Sequence, residues 1–218
     1  MAGSTESETK QKILRSAVML FNTKGYNGTS VRDIAKKADV NVSLISYYFG
    51  GKQGLAEHLM TSFLEGYVGI IETAYMKLDY RTARECFFEA VKGILDYQQE
   101  NRQLARFVHR EITFDTVLVR EIMTTYLMKE KFYLARIIEN GFARQEFIPQ
   151  SIDYLIMQLR GMLTMPFLHP QYILEVHHIQ PNEEYFKEKY YRQLKQWIEL
   201  SLCQTSPSWS KKPVAINV

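Results

Sequence analysis

Apolar residues recur at every third or fourth position along almost the whole chain, and no stretch shows the sustained alternation of a strand. Over residues 10–24, Ile13, Leu14, Ala17, Val18, Leu20 and Phe21 share one face. Thr9 can cap that helix and Gly25 can end it in a left-handed turn. Thr29 or Ser30 then caps a short second helix whose inner face is Val31, Ile34, Ala35 and Ala38. The turn Asp39-Val40-Asn41 leads into a third helix, Val42 to Phe49, which Asn41 can cap. Gly50-Gly51 breaks the chain before a long helix from Gln53 to about Lys77. Five more helices follow, near 82–99, 102–114, 116–143, 151–165 and 183–203, with a break from Pro166 to Pro181. Short β-branched runs such as Val117-Leu118-Val119 sit inside helical patterns. The expectation is an all-α protein of about nine helices: a three-helix N-terminal domain over 9–52 and a helical body over 53–203. Residues 1–8 and the polar tail 204–218 read as disordered.

Composition narrows the class. With 46% apolar and 23% charged residues among 218, the chain is neither a disordered polymer nor a collagen-like or disulfide-stapled protein. No apolar run is long enough to span a bilayer, and the polar segment Met1–Lys12 lacks the apolar core of a secretory signal. Cys86 and Cys203 are far apart, as expected of buried free thiols in a cytoplasmic protein. Net charge is +3, and residues 1–55 hold eight basic groups against four acidic ones, which accounts for all of the excess. A small basic module on a near-neutral body suits a nucleic-acid reader.

The arrangement over 29–52, a short helix, a three-residue turn and a second short helix, is that of a helix-turn-helix. Small Ala35 and Ala38 allow a close crossing, Val40 plugs the corner, and Ile45 and Phe49 anchor the second helix. Val42, Ser43, Ser46 and Tyr47 must then face outward, with side chains short or flat enough for a major groove. A plain αα-hairpin has the same pattern. Other chemistries lack their residues. His177 and His178 are adjacent and diverge on any regular element, and no Cys or acidic ligand stands at metal spacing. GxxxxGK[ST] is absent, and no Ser/His/Asp set can be nominated. Neither catalysis nor a cofactor nor a metal is expected.

The stretch Phe21-Asn22-Thr23-Lys24-Gly25-Tyr26-Asn27-Gly28-Thr29-Ser30-Val31-Arg32-Asp33-Ile34-Ala35, followed by Ala38-Asp39-Val40 and Tyr47-Tyr48-Phe49 with Lys52 and Leu55, resembles the N-terminal domain of TetR-family regulators. The likeness covers about residues 9–60, and the helical remainder fits that family's ligand-binding and dimerisation domain. Ser46-Tyr47-Tyr48-Phe49 with Gly51-Lys52-Gln53-Gly54-Leu55, then Arg102-Gln103-Leu104, Arg106-Phe107-Val108, Arg120-Glu121-Ile122-Met123 and Pro170-Gln171-Tyr172-Ile173, resemble the RefZ group of sporulating Bacillus-type bacteria. That resemblance implies a nucleoid-associated homodimer that binds palindromic double-stranded DNA and links chromosome position to cell division during sporulation. A division-machinery partner is implied with it. It also implies base reading by Val42, Ser43, Ser46 and Tyr47, and phosphate contacts from Thr29, Asn41, Tyr48 and Lys52. No Arg, Asn or Gln follows Asn41 on the reading face, so DNA shape is expected to supply part of the specificity. Arg32 and Lys36 fit either phosphate contacts or solvated helix charges. Gly50-Gly51 departs from the polar or basic pair often found there and suggests a looser junction.

The last two helices carry apolar stripes, and the family pattern implies a four-helix dimer bundle with Leu155, Leu159, Met162, Tyr190, Leu194, Trp197 and Ile198 at the interface. Intramolecular packing accounts for half of them equally well. Large residues of the middle helices, including Phe87, Phe107, Phe114, Phe132, Met157 and Met162, read first as a filled core and second as an effector pocket with His109 as a hydrogen-bonder. Arg102, Arg106 and Arg110 fall at i, i+4 and i+8: a solvated stripe paired with Glu111 or Glu121, or a partner or second nucleic-acid surface. The alternatives to a division-linked DNA binder are an effector-responsive repressor of a metabolic or efflux gene, and a helical carrier or interaction protein without DNA binding.

Overall fold

The computed structural model describes residues 2–203; Met1 and the tail 204–218 lie outside the described residues. The described residues form α1 (Ala2–Lys24), α2 (Val31–Ala38), α3 (Ser43–Phe49), α4 (Lys52–Tyr75), α5 (Ala83–Glu100) and α6 (Arg102–Glu111). They continue with α7 (Val117–Ile122), a π-helical turn (Met123–Leu127), α8 (Met128–Ala143), α9 (Ile152–Leu168), α10 (Pro170–His177) and α11 (Glu184–Ser201). Helices α7 and α8 run through the π turn as one rod over 117–143, so ten rods are present among the described residues. The all-helical expectation holds, and β pairing there is limited to an isolated bridge between Phe147 and Cys203. Both cysteines are free and buried.

Local chemistry sets the boundaries. Ser30 and Asp33 make a reciprocal capping box at the start of α2, and Thr82 and Glu85 make another at the start of α5. Gly25 ends α1 at φ +78°. Two boundaries differ from the sequence reading. Helix α1 starts at Ala2 rather than near Thr9, and its exposed early turns carry the i,i+4 pairs Glu6–Lys10 and Glu8–Lys12 at 3.0 Å. Helix α9 runs past Pro166 to Leu168, and α10 occupies part of the expected break. A proline inside a helix leaves the carbonyl four residues back without its N–H partner. Here that carbonyl belongs to Met162, and the Tyr190 hydroxyl of α11 donates to it at 2.7 Å.

Helix α4 belongs to both parts of the molecule. Leu55 is buried at the N-terminal domain, and Phe63, Tyr67 and Ile71 are buried in the body. The body's centre is filled by Phe63, Tyr67, Phe87 and Phe107, each at most 1% exposed. Phe114, Phe132 and Met157 are instead on the surface. Five polar side chains cross this core. The Tyr67 hydroxyl donates to the Glu130 carboxylate at 2.9 Å, and Arg160 pairs with the same carboxylate. Burial pushes the Glu130 carboxyl up, against the pull of Arg160. Gln98 donates through Nε2 to the Leu163 carbonyl at 3.0 Å, so its Oε1 is left to accept. His109 Nε2 faces that oxygen, which fixes the ring as the neutral Nε2–H tautomer. His109 is therefore an interior histidine with its bond already made.

Removing the Tyr190 hydroxyl should expose the defect at Pro166. Tyr190→Phe is expected to cost about 1–2 kcal/mol in denaturant unfolding, the penalty of a stranded half-buried carbonyl. Burial, helped by the Arg160 charge, pushes the His109 imidazole from 6.5 down to about 3. The unfolded ring takes up a proton first, so stability from this group is complete above its unfolded value and falls as pH drops toward 3, by about 1.4 kcal/mol per pH unit. Between pH 7 and pH 5, His109→Gln should lose about 2 kcal/mol less than the parent in parallel unfolding titrations; equal losses would clear His109 of the acid sensitivity.

Candidate nucleic-acid interface

Helix α3 is seven residues long, too short to hold itself in place. Ile45, fully buried, is its anchor. Asn41 Oδ1 accepts from the Ser43 backbone N–H at 2.9 Å and the Ser43 hydroxyl at 2.8 Å, so Asn41 is the cap the sequence suggests. At the other end Gly50 (φ +70°) and Gly51 (φ +106°) take left-handed backbone conformations, and a Cβ on Gly54 would sit 1.9 Å from the Phe49 carbonyl oxygen. The glycines therefore make a tight corner between α3 and α4, not a loose junction.

With Ile45 beneath, Val42, Ser43, Ser46 and Tyr47 all lie on the exposed side; Tyr47 is 78% exposed. Tyr48 is half-buried, edge-on to Tyr47 with ring centroids 5.0 Å apart, and Lys10 Nζ lies 4.9 Å from its ring centre. Arg32 and Lys36, one turn apart on α2, are exposed and have no ion-pair partner among the described residues. Asp33 between them is occupied: Ser30 and then Lys24 hold its carboxyl down to about 2.

Two expected phosphate contacts point the other way. Thr29 is 1% exposed, and its hydroxyl donates to the Gly25 carbonyl at 2.8 Å. Lys52 Nζ donates to the carbonyls of Tyr26 and Thr29 at 3.1 and 3.0 Å and lies 4.4 Å from the Tyr26 ring centre. Both are corrected here to structural pins of the 25–29 loop. The same hydrogen-bonding chemistry that suits them to a phosphate suits them to main-chain carbonyls, and the loop places those nearer.

Comparison with known proteins decides the family. The sequence model described as "Bacterial regulatory proteins, tetR family" matches residues 13–59. The chain is 53% identical to the probable HTH-type transcriptional regulator YttP of Bacillus subtilis (strain 168), over 87% of its own length and 92% of YttP. It is 32% identical to the HTH-type transcriptional repressor NicS of Pseudomonas putida over 41% of each chain. The TetR-family regulator PfmR of Thermus thermophilus has the same fold, with a TM-score of 0.73 over 87% of this chain and 97% of PfmR at 20% identity. The chain belongs to the TetR family. Members are DNA-binding transcriptional regulators that act as dimers and are not enzymes.

In this TetR-family chain the residues expected at the dimer interface divide. Leu155, Leu159, Leu194 and Ile198 are at most 4% exposed and pack within the chain, so these four are corrected to core, while Met162 and Tyr190 are half-buried. Trp197 keeps 40% of its surface, and the other outward apolar residues of α9 and α11 are Tyr154, Met157, Tyr185 and Leu200. The arginines of α6 are all half-buried. Arg110 donates to the Phe21 carbonyl at 2.6 Å and pairs with Glu111 at 3.5 Å, Arg102 donates to the Asn182 carbonyl at 2.9 Å, and Arg106 has no partner among the described residues. Helix α6 also grips α1: Phe107 stacks on Phe21 at 5.0 Å, and Asn22 Nδ2 donates to the Gln103 carbonyl at 2.7 Å. Beside that contact lies a cavity of about 640 Å³ that includes Tyr26, Met60, Phe107 and Glu111 in its walls. Sequence periodicity carried no sign of this junction.

Anchor and reading residues separate by stability. Ile45→Ala is expected to cost about 3 kcal/mol in thermal or denaturant unfolding, whereas Tyr47→Ala should stay within about 0.5 kcal/mol of the parent.

Proposed function

We propose that this chain is a sequence-specific homodimer that reads a palindromic chromosomal site with the outer side of α3, and that it links chromosome position to cell division during sporulation, as the RefZ group does. The observation that carries the DNA reading is the exposure of Val42, Ser43, Ser46 and Tyr47 above a fully buried Ile45. Arg32 and Lys36 flank that face as phosphate cations, with the Asn41 amide and Tyr48 beside them. The second copy docks through the outer faces of α9 and α11, where Tyr154, Met157, Trp197 and Leu200 are exposed. The RefZ-like role is supported by motifs outside the reading head, Arg102-Gln103-Leu104 and Arg106-Phe107-Val108 among them. It places the protein on the nucleoid in the cytoplasm, with a division-machinery partner.

A second reading is an effector-responsive repressor. The cavity beside the α1–α6 contact favours it, because an amphipathic molecule wedged there would separate the two domains.

Mapping bound sites across the chromosome separates the two. Sites clustered by chromosome position support the division role, whereas a site beside a transporter or metabolic gene supports the repressor. Mobility shifts on the recovered site should show half-sites about one helical turn apart. Log affinity should fall against log salt with a slope of about 0.9 per phosphate contact. Arg32→Gln should lower that slope, and Tyr47→Ala should weaken specific binding by about tenfold or more. A Tyr47→Ala protein that binds as the parent does would overturn the assignment of the reading face.

A further inference from the structure

Arg102 and Arg106 stand one turn apart at the start of α6 and line a recess of about 160 Å³ against the α9–α10 corner. Gln103, Gln171 and Asn182 supply its other polar groups, and no carboxylate lines it. Arg102 donates to the Asn182 main-chain carbonyl, which carries no charge. Arg106 makes no hydrogen bond or ion pair among the described residues although it is half-buried. Half-buried arginines elsewhere in the chain face carboxylates: Arg160 faces Glu130, Arg81 faces Glu89, and Arg110 faces Glu111. Both residues line one recess that offers them no counter-charge. Burial accordingly pushes the Arg102 guanidinium below its ordinary value, and no acidic group offsets it.

We propose that this recess is a binding site for the dianionic phosphate of a small molecule, either inorganic phosphate or a phosphate monoester. Two fixed positive charges match a dianion, whereas a single carboxylate would leave one guanidinium uncompensated. Forked guanidinium donors and amide N–H groups suit phosphate oxygens. The volume holds a phosphate group, and the rest of a monoester would extend into solvent. Gln103 connects the site to the DNA-binding domain: its carbonyl and Oε1 accept from Asn22, at 2.7 and 3.1 Å, and its Nε2 donors have no partner among the described residues. An occupant that takes Nε2 braces the contact between α6 and α1.

The test is thermal unfolding of the full chain with added phosphate or glycerol phosphate, at ionic strength held constant with chloride. At a tenfold excess over Kd the midpoint should rise by about 3–5 °C. Whichever anion gives the larger shift identifies the source. Arg106 has no partner to lose, so Arg106→Gln should keep the unliganded midpoint and lose the shift. Arg106→Lys, which keeps the charge and loses the fork, should bind several-fold more weakly. Arg136→Gln, on an exposed residue paired with Glu139, should retain the full shift. The proposal is overturned if the parent shifts with neither anion, or if Arg106→Gln retains the shift. It is equally overturned if Arg106→Gln lowers the DNA salt slope by about one, because Arg106 would then be a DNA-phosphate contact.

Discussion

The burial of Ile45 under α3 is the contact on which the interface depends. A helix of two turns has almost no stability of its own, so its orientation is set by what holds it from below and at its ends. Ile45 supplies the first, and the Asn41 cap and the glycine corner at 50–54 supply the second. Once those are fixed, the direction of Val42, Ser43, Ser46 and Tyr47 follows from helical geometry. The inward turn of Lys52 belongs to the same scheme. By holding the carbonyls of Tyr26 and Thr29 it fixes the loop that delivers α2, and so fixes the partner against which α3 packs.

The body shows how a helical core carries polar groups without losing order. Glu130 is buried with two partners, His109 is buried neutral with one, and the Met162 carbonyl orphaned by Pro166 receives the Tyr190 hydroxyl. Each of these three groups is matched to a partner on a different helix, so these bonds select one packing among many that would satisfy apolar volume alone. Asn22 Oδ1, Asn140 Oδ1 and the half-buried Arg106 depart from that pattern among the described residues, and of these only Arg106 carries a charge, so its recess invites a ligand of opposite charge.

The helix-turn-helix was legible because it rests on short-range facts: spacing of small and branched residues, a capping pattern, glycines at a corner. Most helices and boundaries of the body were legible for the same reason, although α10 falls where the sequence reading placed a break. What periodicity cannot carry is which second element covers a face. Leu155, Leu159, Leu194 and Ile198 stand on stripes that suit a partner subunit as well as they suit the chain's own core, and the chain's own core takes them. Thr29, Lys52 and Arg110 have the chemistry of phosphate or surface groups, and only the folded path brings main-chain carbonyls within their reach. Pro166 reads as a terminator until a hydroxyl 24 residues later in the chain is seen to repair the break.

The two domains are joined by one continuous helix and one clamp. Helix α4 runs unbroken from Leu55 under the reading head to Tyr67 in the polar core, so it transmits rotation but resists bending. Helix α6 clamps α1 through the Phe21–Phe107 stack, the Asn22–Gln103 bond and the Arg110 bond to the Phe21 carbonyl, three contacts within two turns of one helix. A shift of α6 along its axis would strain all three together. The cavity of about 640 Å³ and the arginine recess lie along this clamp. Any small molecule that alters the spacing of the reading heads would therefore act most directly by moving, or bracing, α6.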